Sequence, residues 1–227
     1  IFFFRFWALL DPTPKSALTP NTYEYESSPL VKPTGFREYD ARWLLEKEIN
    51  LMGVQALGMG LGTLIAELGV KKEIVTGHDF RSYSSSIKYA LISGLLASGC
   101  KVHDIGLCMT PMAYFAQFDL DLPCVAMVTA SHNDNGWTGV KMGANRPLTF
   151  GPNEMKRPKD VVLGAKFTLS PGSYVFVENF TAPYIPAVTP DGQLHAKPQG
   201  GAPCRHDTAG TLAPQGREGG GADGGTA

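Results

Sequence analysis

Apolar residues return at helical spacing from Ile49 onward, at Met52, Ala56, Leu57, Leu61, Leu64, Ile65 and Leu68, which predicts an amphipathic helix. Gly53, Gly58, Gly60 and Gly62 interrupt it, each costing up to about 1 kcal/mol relative to alanine. The Gly58-Met59-Gly60-Leu61-Gly62 run follows no strand and lacks Gly-x-Gly-x-x-Gly spacing, so it reads as close helix packing rather than a dinucleotide loop. Glu73–Thr76 is a short strand entering Gly77-His78-Asp79-Phe80-Arg81-Ser82-Tyr83-Ser84. There His78 reads as an exposed loop residue, Asp79 and Arg81 as a charge-assisted pair, and Ser84, Ser85 and Ser86 as N-cap candidates. A second helix carries Ile87, Ala90, Leu91, Gly94, Leu95 and Ser98 on one face and stops at Gly99.

Cys100–Ile105 is the next strand, expected to be less buried because of Lys101, His103 and Asp104. Thr110-Pro111 opens a helix to about Asp119, with proline in its preferred first turn. Cys124–Val128 is a short, wholly apolar run that predicts a buried strand, and Val140–Met142 a return strand. A helix follows from Pro152 to Leu163, with Gly164 beyond it. Tyr174–Val177 is a last strand, and Asn179–Tyr184 begins a helix that Pro186 is expected to stop. This alternation predicts an α/β fold with a mainly parallel mixed sheet flanked by helices.

The ends of the chain read differently. Ile1–Leu10 is apolar, aromatic and too short to span a bilayer, which needs about 20 residues. It carries no signal-peptide pattern, and residues 1–17 are expected to be a non-native or unstructured extension. Asp11–Gly35 is proline-rich and predicts an extended approach. The domain proper is expected over 18–172, with 173–190 a linker or the start of a truncated second domain. Asp191–Ala227 has ten glycines in 37 residues and no aromatic, so 191–227 is expected to be a disordered tail that cannot bury enough apolar surface to order itself.

With 227 residues, 43% of them hydrophobic, the chain accommodates a full domain with a sizeable core. A net charge of −1 gives no reason to expect nucleic acid or an anionic membrane as partner. Cys100, Cys108, Cys124 and Cys204 contain no Cys-x-x-Cys pair, and free thiols in a reducing cytoplasm are the reading.

Candidate chemistry concentrates just past the Cys124–Val128 strand, in Thr129-Ala130-Ser131-His132-Asn133 and then Asp134-Asn135-Gly136-Trp137-Thr138-Gly139-Val140-Lys141. A serine beyond a strand's carboxyl end sits where open α/β sheets place their chemistry. Alone, Ser-His-Asn reads as turn formers beside a surface imidazole. A Ser-His hydrolase is an alternative, but Ser131 is not in a Gly-x-Ser-x-Gly elbow and no aspartate partner for His132 is identifiable. Phe36-Arg37-Glu38-Tyr39-Asp40-Ala41-Arg42 taken alone is a solvated, self-paired charged turn.

Thr129–Asn133 together with Lys141 resembles the phosphoserine loop of the α-D-phosphohexomutases, the phosphomannomutase/phosphoglucomutase family. Asp134 stands where that loop usually has proline, and Thr138-Gly139 where it has Asn-Gly; a bacterial branch carries a similar Asp-Asn-Gly-Trp version. Phe36–Arg42 is similar to the family's Phe-Arg-x-Tyr-Asp-Ile-Arg-Gly, with Trp43 in place of the glycine. Asp79 and Arg81 match a Gly-Arg-Asp-x-Arg loop from which His78 departs. The resemblance covers roughly Leu18 to Ile185, the first of four domains.

It implies a phosphosugar mutase that interconverts hexose 1- and 6-phosphates through a phosphoserine at Ser131. In that scheme Mg²⁺ binds the seryl phosphate, so Ser131 is also the metal residue, and a hexose 1,6-bisphosphate loads the serine. Lys141 neutralises charge, His132 and Arg42 move or position a proton, and Tyr39 and Asn133 orient phosphate or sugar oxygens. The family's Asp-Gly-Asp-Gly-Asp-Arg metal loop, its Gly-Glu-x-Ser-Gly-His sugar loop and its Arg-x-Ser-Gly-Thr phosphate clamp do not occur in this sequence. The chain alone is therefore expected to be inactive. A non-catalytic phosphosugar-binding or regulatory remnant is the alternative. His206-Asp207-Thr208-Ala209-Gly210 resembles a damaged start of the family's second domain.

Overall fold

The computed structural model describes residues 29–146 and 150–188. The expectations for the 1–17 extension and the 191–227 tail lie outside the described residues. Six strands form one sheet: β1 (Ala41–Leu44), β2 (Glu73–His78), β3 (Lys101–Leu107), β4 (Cys124–Val128), β5 (Trp137–Gly143) and β6 (Ser173–Phe176). Five helices accompany them: α1 (Leu51–Glu67), α2 (Ser84–Ala97), α3 (Thr110–Asp119), α4 (Pro152–Leu163) and α5 (Thr181–Val188). The strand order is β1-β5-β4-β2-β3-β6. β4-β2, β2-β3 and β3-β6 pair in parallel, while β5 runs antiparallel to both β4 and β1. The sheet is thus mixed and mainly parallel, as the alternation of elements predicts.

Side-chain alternation sorts the strands onto two faces. Ile74, Cys124, Ala126, Val128, Val140, Met142, Ala41 and Trp43 enter the larger core with Leu57, Leu61, Leu91, Leu95 and Val162 from α1, α2 and α4. Val75, Val125 and Met127 enter a second core with Met112, Ala113 and Ala116 of α3 and with Phe180 and Tyr184. Each β-strand of the centre is covered on both sides, which is why Cys124–Val128 has no polar position. Among the described residues no helix is long and apolar enough to cross a membrane.

Several local expectations are corrected by tertiary context. Ser84–Ser86 supply no cap: Tyr83 occupies the N-cap position of α2 without a side-chain cap bond, and Ser84 Oγ instead donates to Asp79 Oδ1 at 2.5 Å. β3 is less buried than β2, β4 and β5, as Lys101 and His103 lead one to expect, but Asp104 departs from that reading: it is fully buried and receives Lys88 Nζ at 2.6 and 2.8 Å. A buried carboxylate is tolerated when an ammonium group and further donors meet it, and here Gly106 N and Tyr174 Oη add bonds of 2.9 Å each. Pro186 does not end the last helix, which runs on to Val188. Residues 173–188, expected to be linker or the start of a second domain, contribute β6 to the sheet and α5 to the second core. Arg42 lies not in a charged turn but on β1, an element the sequence pattern did not signal.

Candidate functional site

β5 and β1 bring the two site cations together by simple register. Gly139 pairs with Arg42 across the strands, and Lys141 is two residues beyond Gly139 on the same face. Lys141 is opposite Met127 of the second core's face, while Val140, Met142, Ala41 and Trp43 turn to the larger core. Arg42 and Lys141 therefore share the face that α3 covers over β2 and β4. They line a cavity of about 450 Å³ with Arg37, Glu38, Tyr39 and Asp40.

Asp40 organises this cavity, and sequence reasoning did not single it out. Its Oδ2 receives Arg42 Nε at 2.8 Å and Nη2 at 2.6 Å, and lies 3.5 Å from Lys141 Nζ. One largely buried carboxylate thus holds a guanidinium and an ammonium side by side. The signal was present in sequence only as one acid among alternating charges. Tyr39 is 65% exposed and lines the same cavity. Burial, with the Asp40 charge adding to it, pushes the Tyr114 phenol of α3 above its ordinary value.

The Ser131 loop leaves β4 at the carboxyl edge of the sheet. Ser131 has φ +56°, in the left-handed region that a non-glycine residue occupies at a cost. Thr129 Oγ1 accepts Ser131 N at 3.0 Å and Ala130 O accepts Asn133 N at 3.1 Å, which closes the turn. Ser131 and His132 are exposed, with Ser131 Oγ 3.3 Å from His132 Nδ1. They do not line the cavity. The link is Asn133, whose Oδ1 accepts Arg42 Nη1 at 2.6 Å. This leaves the Asn133 amide group as a donor.

The expected Asp79–Arg81 ion pair is present, and Asp79 Oδ1 also accepts Arg81 N at 3.2 Å. Arg81 then reaches further than its pairing: Nη2 donates to Ser131 O at 3.1 Å and Asn133 O at 2.7 Å. His78 is not an exposed loop side chain. It ends β2, is partly buried, and places Nδ1 2.8 Å from Asp79 O. Burial holds its pKa below the ordinary histidine value. Trp43, where the resembled family has glycine, is an extended strand residue, fully buried, with Nε1 donating to Lys32 O at 2.8 Å and Phe36 edge-on at 5.2 Å.

Residues 33–166 match the family model for phosphoglucomutase/phosphomannomutase, alpha/beta/alpha domain I. The chain belongs to that family. A phosphoglucomutase/phosphomannomutase family protein from Burkholderia thailandensis shares the fold, with a TM-score of 0.73 at 22% identity over 86% of this chain and 43% of that one. A "Probable phosphoglucosamine mutase" of Pyrococcus abyssi is 35% identical over 115 residues, 51% of this chain and 25% of that protein. A "Phosphomannomutase" of Escherichia coli is 38% identical over 113 residues, 50% of this chain and 24% of its own length. The chain spans about a quarter of the length of these curated relatives.

The resemblance implies a Mg²⁺ ion beside Ser131. No group of three His, Cys, Asp or Glu residues among the described ones could hold a metal ion. Mg²⁺ requires near-octahedral oxygen ligation, and Asp40, the acid beside the two cations, is already committed to Arg42 and Lys141. Ser131 brings a single hydroxyl. These residues as they stand do not fit the ion.

Proposed function

We propose that this chain carries the phosphoserine part of a phosphosugar mutase, one that interconverts hexose 6-phosphate and hexose 1-phosphate through Ser131. The observation that carries the reading is the exposed, left-handed Ser131 joined through Asn133 to the Arg42–Asp40–Lys141 cluster. A phosphoryl group needs positioning and charge neutralisation more than covalent assistance, and this arrangement offers both.

In the proposed reaction phosphoserine 131 gives its phosphoryl group to a sugar hydroxyl. The Oγ–P bond breaks, a P–O bond to the sugar forms, and the sugar hydroxyl's proton ends on Ser131 Oγ. The bisphosphorylated sugar turns round, and Ser131 Oγ takes the other phosphoryl group while its proton passes to the departing sugar oxygen. His132, 3.3 Å from Oγ, is within reach to carry that proton. Arg42 presents a planar fork and Lys141 a point charge to the phosphate oxygens, with Tyr39 and the Asn133 amide orienting phosphate or sugar. Small-molecule hexose phosphates are thus the proposed partners, in a cytoplasmic setting that three free, buried cysteines support.

The test is the intact mass of the purified chain, with and without glucose 1,6-bisphosphate and Mg²⁺, with fragmentation to place any phosphate. One phosphate on Ser131, absent in Ser131→Ala, is the expected result. A folded chain that takes up none overturns the reading. Uptake without conversion of glucose 1-phosphate to glucose 6-phosphate retains the phosphoserine and removes turnover.

A further inference from the structure

The turn between β2 and α2 grips the Ser131 loop at both ends. At the near end Arg81 Nη2 donates to the carbonyls of Ser131 and Asn133, at 3.1 and 2.7 Å. At the far end the Tyr83 hydroxyl donates to Trp137 O at 2.9 Å and accepts Gly136 N at 2.8 Å. The grip is itself anchored. Asp79 pairs with Arg81, takes Ser84 Oγ at 2.5 Å, and its own N–H donates to Val128 O of β4 at 3.0 Å. The Tyr83 ring packs against the larger core, and its residue stands immediately before α2.

The loop needs such support. Between Ala130 and Trp137 the side chains are polar or absent and mostly exposed, so little burial holds the backbone in place. Ser131 sits in a region of φ that its side chain disfavours, and a bond to its own carbonyl is a direct way of retaining it there. Resting on the phosphoserine reading above, we propose that Tyr83 and Arg81 are positioning residues that hold the Ser131 loop so that its hydroxyl faces the incoming phosphoryl group. Neither side chain touches the reacting atoms. Each acts through backbone carbonyls and one amide. The step they serve is the loading of Ser131 from a hexose 1,6-bisphosphate: Oγ–P forms, the sugar P–O ester bond breaks, and the serine proton ends on the sugar oxygen, releasing a hexose monophosphate. Phosphoryl transfer requires attacking and leaving oxygens in line, and a displacement of about 1 Å costs on the order of a hundredfold in rate.

The experiment compares the wild-type chain with Tyr83→Phe, Arg81→Lys and Arg81→Met. Phosphate on Ser131 is followed over time by mass spectrometry with glucose 1,6-bisphosphate, and amide exchange is measured at Gly136 and across β4. Tyr83→Phe is expected to slow labelling about tenfold or more and to speed Gly136 exchange, with β4 amides unchanged. Arg81→Lys, which keeps a donor for the carbonyls, is expected to retain more labelling than Arg81→Met. Wild-type labelling rates in both Tyr83→Phe and Arg81→Met overturn the proposal alone. Slower labelling accompanied by faster exchange throughout β4 also overturns it, since the residues would then serve only the fold. If the wild-type chain takes no phosphate, the phosphoserine reading falls, and the grip is judged by exchange: an unchanged Gly136 rate in Tyr83→Phe overturns it, and a faster one upholds it as a hold on the loop.

Discussion

His78 shows how one residue couples burial to pH. Its Nδ1 faces the Asp79 carbonyl, which can only accept, so the neutral ring carries its proton there. Burial, and after it the Lys88 charge, lower its pKa, while Asp104 and Asp79 partly oppose them. His103 is lowered as well, by burial and then by Lys101. A depressed histidine binds fewer protons folded than unfolded around pH 6.5, so stability rises with pH there. The contribution is complete above about pH 7 and is lost as the pH falls towards the depressed folded value. Thermal midpoints are therefore expected to drop between pH 7.5 and 5.5, a window above the ordinary carboxylate range, and His78→Gln to flatten part of that slope. An identical slope in the variant would count against this account. Lys88 is a second residue-scale case: removing it takes the ion-pair partner from Asp104, which is 0% exposed. Lys88→Met is expected to cost about 3–5 kcal/mol in a denaturant titration. Replacing Asp104 with leucine as well should recover only part of this, because Gly106 N and Tyr174 Oη would lose their acceptor.

At the scale of elements, the crossing of α1 and α2 explains the glycine run. A Cβ on Gly58 would lie 2.2 Å from Leu91 O, and one on Gly94 would lie 2.0 Å from Gln55 O. The two helix backbones touch where these glycines stand, and both helices then bury leucines on the larger core. Alanine improves helix propensity by about 1 kcal/mol, yet here it would push backbone against backbone. Gly94→Ala is accordingly expected to destabilise the chain by about 1–3 kcal/mol, read from chemical denaturation. Stabilisation by that substitution would mean that the helices are farther apart than described.

For the molecule as a whole, the question is where the domain ends. Family-model similarity covers 33–166, but β6 extends the sheet beyond it and Phe180 and Tyr184 pack beside Phe115 at ring separations of 6.0 and 5.6 Å. Tyr174 also bonds Asp104 inside the sheet. A chain ending at residue 172 is expected to unfold at a lower temperature than the full chain, and Phe180→Ala to cost about 3–5 kcal/mol. If both leave the midpoint unchanged, residues 173–188 are an appendage and the domain closes at 172. Burial also raises the thiol pKa values, to about 11 for Cys100 and about 12 for Cys108 and Cys124. These three thiols are expected to resist alkylation in the native chain at pH 8 and to react on unfolding.

Local pattern alone determined most of the elements, since helix and strand periods are written in consecutive residues: α1, α3, β4 and α4 begin and end close to where apolar spacing, Pro111, Pro152 and Gly164 put them. Ser131, Lys141 and Arg42 stood out through the resemblance to the phosphohexomutase motifs and not through that pattern. Tertiary structure decided what depends on distant partners. Asp104 could be read as a surface acid because Lys88, sixteen residues away, is adjacent only in the fold. β1 gave no signal because its four residues are stabilised by pairing with β5, nearly a hundred positions on. The same register places Arg42 beside Lys141. Tyr83 carries no mark of its role in sequence, for a hydroxyl that reaches a backbone 53 residues away is specified by packing geometry, and packing geometry is a property of the assembled chain.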